Sequence, residues 1–338
     1  MNRGIFVGLV VAAVSLVLAA AAIAGNGTPI STGSANPLTL AIYGDAPYGA
    51  SNTDTAAFDA TPAFVDAVNH DPKVDLVAHV GDIHSGSQKC TVAYDQSVAD
   101  MWAKYKDPLI FTPGDNEWTD CQKTKELPGS EFGGNPISSL AAVRSIFFPR
   151  PGYSLGGRKK QVLSQAQVGT GTDANYVENV SWEQSQTLFV TLNIPGGSNN
   201  DADDWFGQPR TQAQTDEIAQ RTQADLDWLD RAFAQAQADG VGSVVILEQA
   251  DMWDLDGKTP SHIANYKPFI DSIATHTLAF GKPVLLFNGD SHMYRSDNPL
   301  VQGAPCVIET GAPDTSTQPC PDDAYANQAA NGGAYGTV

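Results

Sequence analysis

Short apolar runs alternate with longer amphipathic stretches along most of the chain. The apolar runs are rich in Leu, Val, Ile and Phe, which is typical of strands buried on both faces of a sheet. Such runs lie at 38–43, 74–80, 109–112, 243–247 and 284–287, with further predicted strands at 176–180 and 187–193. Helical patterns lie at 61–69, 93–105, 138–148, 211–238 and 263–277. The strand–helix alternation over residues 38–112 predicts an α/β fold.

Four of the apolar runs end in the same dipeptide, Gly-Asp, which occurs nowhere else in the sequence. These dipeptides are Gly44-Asp45, Gly81-Asp82, Gly114-Asp115 and Gly289-Asp290. Each one alone is explained by the good turns that Gly and Asp make after strands. Together they place four carboxylates at the carboxyl edge of the sheet, where α/β proteins bind ligands. Because these carboxylates would repel one another unless cations lay between them, the pattern predicts a metal centre.

The N-terminal segment has the pattern of an export signal. Residues 4–24 carry no charge, follow Arg3 and close with Ala22-Ile23-Ala24, as at a signal peptidase site. We therefore predict a signal peptide at 1–24, a flexible leader at 25–37, one domain at 38–321 and a low-complexity tail at 322–338. The expected location is secreted, periplasmic or extracellular. The alternative is an uncleaved segment that anchors the chain in a membrane, since this uncharged run of 21 residues is long enough to span one.

Charge and cysteine content narrow the functional classes. The formal net charge is −19, and loss of Arg3 with the signal peptide makes it −20 (−19 minus 1). A nucleic-acid partner is not expected, because a polyanion binder needs a basic face. An even number of cysteines in an exported protein favours disulfides, and proximity favours one of the three possible connectivities. The expected pairs are Cys90 with Cys121 and Cys306 with Cys320.

The blocks around the Gly-Asp pairs resemble those of the calcineurin-like metallophosphoesterases, which read D-x-H, G-D, G-N-H-D/E, a lone His and G-H-x-H. In this chain they read Gly44-Asp45-Ala46-Pro47, Gly81-Asp82-Ile83-His84, Gly114-Asp115-Asn116-Glu117, Glu248-Gln249-Ala250-Asp251 and Gly289-Asp290-Ser291-His292. The resemblance is greatest to a divergent secreted branch. It implies a four-layer αββα sandwich of two mixed sheets, with two metal ions, a metal-bound hydroxide as nucleophile and a small phosphoester as substrate.

The resemblance also implies roles for individual residues. Asp82 would bridge the two ions, Asp45 and His292 would hold the first, and Asp115, Gln249 and Asp290 would hold the second. Several letters depart from the family pattern: Pro47, Gln249 and Asp290 replace His ligands, Asp115 replaces Asn, and Asn116 replaces the His that protonates the leaving group. An amide cannot donate a proton in that way.

Four aspartates would cancel the charge of two divalent ions. Phosphate affinity should therefore be low unless one ion is trivalent or nearby cations contribute. Oxygen ligands also favour Mn, Mg, Ca or Fe over Zn. Arg295 is the candidate for holding a phosphoryl oxygen, with a surface salt bridge as the alternative. His84 could replace the missing ligand or acid, or be a core or exposed residue, whereas His79 is expected in the core.

Two further functional classes are alternatives to a secreted phosphoester hydrolase. A non-catalytic metal-binding module is favoured by the lost His ligands and by Asn116. A serine hydrolase is not favoured, because no G-x-S-x-G motif occurs in the sequence. The metal-dependent hydrolase is the preferred interpretation. No stable membrane partner is expected unless the signal segment remains uncleaved.

Overall fold

The apolar runs of the sequence form two mixed sheets. The computed structural model describes residues 12–15, 37–123, 128–254, 264–301, 304–311 and 314–319. The first sheet has the strand order β1-β2-β3-β4-β5. Its strands are β1 Ala12–Ser15, β2 Thr39–Tyr43, β3 Val74–His79, β4 Pro108–Phe111 and β5 Leu155–Gly156. β2, β3 and β4 are parallel, and the two edge strands are antiparallel to their neighbours.

The second sheet has the strand order β10-β9-β8-β7-β6. Its strands are β6 Leu163–Ser164, β7 Val180–Gln184, β8 Thr187–Thr191, β9 Ser243–Leu247 and β10 Val284–Phe287. β8, β9 and β10 are parallel, and β7 and β6 continue the sheet in antiparallel pairs. Both sheets therefore direct three parallel strands toward a carboxyl edge.

The strand expected at 176–180 is wrong, because β7 begins at Val180. Glu178, two residues before β7, is fully buried and accepts two hydrogen bonds from the guanidinium of Arg144. β7 and β8 are instead joined by Ser185 and Gln186, both with positive φ, so the two strands form a tight hairpin. The sequence lacks the Asn-Gly or Asp-Gly signal of such a turn.

Helices cover the outer faces of both sheets. α1 Ala56–His70, α2 Val92–Trp102 and α3 Pro136–Phe147 pack on the first sheet through one apolar cluster. α4 Gln165–Val168 and α5 Gly196–Asn200 are short. α6 Gln212–Asp239 and α7 Lys267–Phe280 pack on the second sheet through another cluster. α6 ends at Gly240, which adopts the left-handed conformation common at helix ends.

The inner faces of the two sheets pack against each other. Leu76, Ala78 and Ile110 of the first sheet meet Phe189 and Val245 of the second in a third apolar cluster. The order of layers is helices, sheet, sheet, helices. The expected αββα architecture is therefore confirmed.

A small antiparallel sheet follows the second layer. It consists of β11 Arg295–Ser296, β12 Pro305–Gly311 and β13 Asp314–Pro319. The sequence did not predict these strands, because Pro, Asp, Thr and Gly dominate the composition after Pro299.

The predicted signal peptide and leader lie outside the described residues except for 12–15, which form β1, and 37, and the tail at 322–338 lies wholly outside them. Cleavage after residue 24 would remove β1 and leave β2 at this edge of the first sheet. These boundaries stay predictions. Among the residues that are described, we find no helix with the length and apolar character needed to cross a membrane.

One of the two expected disulfides is present. Cys90 and Cys121 are bonded, with their Cα atoms 5.7 Å apart, and both are buried. Their sulfurs lie 3.5 Å and 3.9 Å from the carbonyl oxygen of Asn116. The bridge therefore supports the loop after β4. Cys320 lies outside the described residues, so its pairing with Cys306 stays a prediction.

Replacing both Cys90 and Cys121 with serine should lower the free energy of unfolding by about 2–4 kcal/mol, because the cross-link restricts the unfolded chain. Urea unfolding of the variant and the wild type measures the difference. Peptide mapping without reductant separately tests the predicted pairing of Cys306 with Cys320. Unchanged unfolding midpoints would show that the Cys90–Cys121 bridge contributes nothing to stability.

Candidate metal centre

The carboxyl ends of the parallel strands converge on one place. Asp45 follows β2, Asp82 follows β3 and Asp290 follows β10. The glycines of the Gly-Asp pairs permit this close approach. A side chain at Gly114 would collide with the carboxylate of Asp82, and a Cβ at Gly289 would lie 2.7 Å from Asp45 Oδ2. The dipeptide is therefore more than a turn signal, since Gly114 and Gly289 each make room for an aspartate carboxylate from another strand end.

Two overlapping groups of side chains result from this convergence. Asp45, Asp82 and His292 present ligand atoms that all lie within 4.8 Å of one another, and so do Asp82, Asp115 and Asp290. Asp82 belongs to both groups. The first group is open to solvent at His292, whose side chain is 59% exposed, whereas Asp82 and Asp115 are buried.

The backbone at these residues is strained. Asp45, Asp82, Asp290 and His292 have φ values of 53°, 59°, 77° and 54°. Positive φ is uncommon for residues other than glycine, and such strain concentrates at functional sites. The surrounding structure must therefore hold these side chains in place.

Asn116 holds the shared carboxylate. Its backbone N–H donates to Asp82 Oδ1 at 3.2 Å, and its side-chain Nδ2 donates to Asp82 Oδ2 at 3.0 Å. Both oxygens of Asp82 therefore have a donor from the same residue. The amide is a hydrogen-bond donor to a ligand here, in agreement with its inability to act as an acid.

Glu117 ties the ends of β3 and β4 together. Its Oε1 accepts from the backbone N–H of Asp82 at 3.2 Å and of Gly114 at 2.7 Å, and its Oε2 accepts from Ile83 N–H at 3.3 Å. Its side chain is fully buried, and burial raises its pKa to about 8. Sequence reasoning missed this residue, although it completes the block Gly114-Asp115-Asn116-Glu117.

Gln249 faces the carboxylates with its amide nitrogen. Its Nε2 donates to Asp82 Oδ2 and to Asp115 Oδ1, both at 3.1 Å, while its Oε1 accepts from the N–H of Gly196 at 2.5 Å. Because the Gly196 N–H needs an acceptor, the opposite orientation of the amide would set two donors against each other. In this structure Gln249 supplies hydrogens to two carboxylates, rather than an oxygen to the second group.

The turn that carries Gly196 is itself left-handed. Gly197, Ser198, Asn199 and Asn200 have φ values between 58° and 64°. Each non-glycine residue in this conformation costs roughly 1–2 kcal/mol.

Arg221 compensates for this strain. Its fully buried guanidinium donates to the side-chain and backbone oxygens of Asn199 and to the carbonyl of Asn193. The Arg221 guanidinium therefore holds the left-handed turn in place. The turn then fixes the orientation of the Gln249 amide.

Burial and mutual repulsion dominate the electrostatics of the site. Burial raises the pKa of Asp82 well above its ordinary value, and the charges of Asp115 and Glu117 raise it further. The pKa of Asp290 is also raised well above its ordinary value, by burial and then by Asp115 and Asp45. A cation between these groups would relieve the repulsion. The donor set of carboxylate oxygens and one imidazole fits hard divalent ions.

The Arg295 guanidinium binds residues outside the two ligand groups. Its guanidinium donates to Asp251 Oδ1 at 3.0 Å and to the carbonyl of Trp253 at 3.2 Å. Asp251 in turn donates its backbone N–H to Asp290 Oδ2 at 3.3 Å and accepts from Ser291 Oγ at 2.6 Å. Arg295 therefore acts through Asp251 on the loop of Asp290, and its pairing is largely buried rather than on the surface. Its contact with a phosphoryl oxygen stays a prediction.

Neither of the two upstream histidines joins the groups. His79 is buried, its Nε2 lies 2.8 Å from the carbonyl oxygen of Ala46, and its ring contacts Tyr43, Trp102 and Phe111. It is the expected core residue. His84 is fully buried, with Nε2 3.8 Å from Asp95 Oδ1, and burial lowers its pKa to about 4. It is therefore neutral at pH 7, which makes it a poor acid.

Tyr48 is a site residue that the sequence reasoning missed. Its hydroxyl lies 2.7 Å from Nε2 of His292, and the same nitrogen lies 3.4 Å from Asp45 Oδ1. Burial raises its pKa, and the charges of Asp45 and Asp82 raise it further. The sequence does contain a signal that could have revealed it. The Tyr48 phenol lies three residues after Asp45, next to the Pro47 that replaces the expected His.

Comparison with known families agrees with this geometry. The family model described as calcineurin-like phosphoesterase matches residues 39–294, which contain every residue of the two groups. No curated protein matches the chain.

The metal-free protein should lose stability as pH rises from about 4.5 to about 8. Glu117 has an ordinary pKa of 4.5 and a pKa of about 8 in the folded protein, so the folded state keeps a proton that the unfolded state has lost. Because the unfolded state binds fewer protons in this window, the free energy of unfolding falls with pH. Thermal unfolding in a chelator, across that pH range, measures the effect.

The matched measurement is made in excess Mn²⁺. Ions that bind only the folded state add stability, and they do so most where the carboxyl groups are ionised. The decline in melting temperature should therefore be smaller with Mn²⁺ than with the chelator. A melting temperature that rises with pH in the chelator would contradict the assignment.

Proposed function

Because the chain belongs to the calcineurin-like phosphoesterase family, we propose that it is a secreted hydrolase of small phosphoesters that uses two metal ions. The observation that carries this proposal is the sharing of Asp82 between two groups of potential ligands. A carboxylate is one of few protein groups that can serve two cations a few ångströms apart.

Each group has a distinct part in the proposed centre. Asp45 and His292 would hold one ion at the exposed side, Asp115 and Asp290 would hold the other at the buried side, and Asp82 would lie between them. When bound, the ions supply Lewis acidity to the phosphoryl group and lower the pKa of water. The substrate would approach from the side of His292, since that side chain is exposed.

The remaining polar residues of the site would position the ligands. Asn116 and Gln249 together place three donors on the two oxygens of Asp82. Arg295 orients Asp251, whose N–H contacts Asp290. These contacts would restrict rotation of the Asp82 and Asp290 carboxylates and keep their ligand atoms directed at one place.

The electrostatic balance limits the choice of substrate. The four aspartates cancel two divalent ions, and Arg295 is already paired with Asp251. A small monoanionic phosphoester would therefore be held mainly by the ions themselves. The net charge of −19 disfavours a nucleic-acid substrate.

Secretion is supported by two observations. The apolar segment at 4–24 ends in a signal-peptidase pattern, and the Cys90–Cys121 bridge is compatible with an oxidising compartment.

A second candidate function is a metal-binding module without catalysis. The observation that favours it is the commitment of Asn116 to Asp82, which leaves no proton donor at the position where the family has one. The hydrolase is preferred, because water activation and charge stabilisation do not need that donor when the leaving group is a good one.

Replacing Asp82 with asparagine should remove most of the bound metal and the activity while the fold is retained, because both groups lose their shared carboxylate. Elemental analysis and turnover of an aryl phosphate, together with circular dichroism, measure the three properties. Asp66→Asn is the matched control, since the Asp66 side chain is 72% exposed. Undiminished metal content in Asp82→Asn would refute the shared role.

The wild type should hydrolyse esters of acidic phenols much faster than alkyl esters, because no acid protonates the departing oxygen. Asn116→His should raise the alkyl-ester rate more than the nitrophenyl-ester rate, by up to ~10²–10⁴ if proton donation is the missing element. Rates across a leaving-group series in both proteins measure this. A wild-type series that is flat with leaving-group pKa would mean that another residue supplies the proton.

A further inference from the structure

Lys123 brings a positive charge to the segment that follows Asp115 and Asn116. It comes directly after the short 3₁₀ turn Thr119–Gln122. Its ammonium donates to Asp120 Oδ2, and its side chain is 32% exposed. A ligand in solution can therefore reach this lysine.

The turn before Lys123 is fixed on two sides. The backbone N–H of Asp120 donates to the carbonyl oxygen of Asp115 at 2.9 Å. The side chain of Gln122 is buried, and its Oε1 accepts from the backbone N–H of Phe206 at 2.7 Å. The lysine therefore starts from a backbone position that is tied to the loop of a proposed metal ligand.

The surroundings of Gly86 show that the Asp120 carboxylate lies beside Asn116. A Cβ added to Gly86 would lie 2.9 Å from Asn116 Oδ1 and 3.1 Å from Asp120 Oδ2. These two oxygens are therefore at most 6.0 Å apart, the sum of the two distances. The other end of the Asn116 amide donates to Asp82 Oδ2. One side chain thus connects the Asp120–Lys123 pair with the carboxylate that both ligand groups share.

The charge of Lys123 acts on the second ligand group. Burial raises the pKa of Asp115, and the charge of Lys123 lowers it. Burial lowers the pKa of Lys123 in turn, but the carboxylates of Asp120 and Asp115 raise it above its ordinary value. The ammonium therefore keeps its charge at neutral pH. Because Coulomb interactions weaken with distance, Lys123 is a cation close to the second group.

The ammonium of Lys123 has donors to spare. A lysine ammonium carries three hydrogens. Asp120 Oδ2 accepts one of them, and the described part of the chain offers no second acceptor. Two hydrogens therefore remain for a ligand that reaches the exposed side of the lysine.

We propose that Lys123 binds a phosphoryl oxygen of the substrate, and that Asp120 positions its ammonium. This proposal rests on the proposed hydrolase. Asp120 balances the charge of Lys123, so the contribution would come from short charge-assisted hydrogen bonds rather than from long-range attraction. Such bonds matter here, because the four aspartates cancel the charge of two divalent ions. Lys123 transfers no proton in this role.

Binding of inorganic phosphate to the Mn²⁺-loaded protein tests the proposal. Calorimetric titration is carried out on the wild type, Lys123→Met and Lys267→Met, and the Mn²⁺ content of each is measured. Lys123→Met should keep its Mn²⁺ and bind phosphate about 10–100-fold more weakly, as expected for loss of a hydrogen bond to a charged group. Lys267→Met should bind phosphate like the wild type. Lys267 is the matched control, because it is exposed and also pairs with an aspartate, Asp271.

A double variant separates contact with phosphate from a structural role of the ion pair. In Lys123→Met, the Asp120 carboxylate loses its partner and would itself repel phosphate. Combining Lys123→Met with Asp120→Asn removes both charges, so the net charge of the site does not change. If Lys123 contacts phosphate, the double variant binds phosphate as weakly as Lys123→Met. Wild-type affinity in the double variant overturns the proposal.

The outcomes also separate this proposal from the proposed function. Lys123→Met that binds phosphate as tightly as the wild type overturns the role of Lys123 and leaves the hydrolase intact. Wild-type protein that binds neither Mn²⁺ nor phosphate overturns both. Circular dichroism verifies the fold of each variant, and Lys123→Gln takes the place of a methionine variant that does not fold.

Discussion

Repulsion among buried and half-buried carboxylates is the constraint on which the site depends. Asp82, Asp115 and Asp290 present oxygens within 4.8 Å of one another, and Asp45 joins them through Asp82. Burial removes the water that would screen them, so the pKa of Asp82 and of Asp290 is raised well above the ordinary value. The fold assembles this cluster at the ends of its parallel strands, and cations bound there would relieve the repulsion among the carboxylates.

The scaffold opposes this repulsion with hydrogen-bond donors and rigid supports. Asn116 and Gln249 donate to Asp82, and the Gly196 N–H fixes which end of the Gln249 amide faces the carboxylates. Behind Gly196, Arg221 holds a left-handed turn that would otherwise be unfavourable. The site's affinity for cations thus depends on two sets of residues. The carboxylates supply the negative charge, and the buried hydrogen-bond network holds them in position.

Much of this arrangement could be predicted from the sequence. The Gly-Asp pairs marked the strand ends because the signal is local: an apolar run, a glycine for close approach and an aspartate at the sheet edge. The sandwich and the family followed from the resemblance of the same blocks to those of a known family. The predicted strand at 176–180 was wrong: β7 begins at Val180, and Glu178, just before it, is bound to Arg144, a contact with a distant segment that local propensity does not reveal. Tyr48, Glu117 and the orientation of Gln249 escaped prediction because they depend on contacts between distant segments, such as the one from Gly196 to Gln249.

The central claim is that two cations share Asp82. Anomalous X-ray diffraction from crystals of the Mn²⁺-loaded protein, collected on either side of the manganese edge, tests it most directly. The account predicts two anomalous peaks on opposite sides of the Asp82 carboxylate, one beside Asp45 and His292 and the other beside Asp115 and Asp290. A single peak, or peaks that do not contact Asp82, would contradict it.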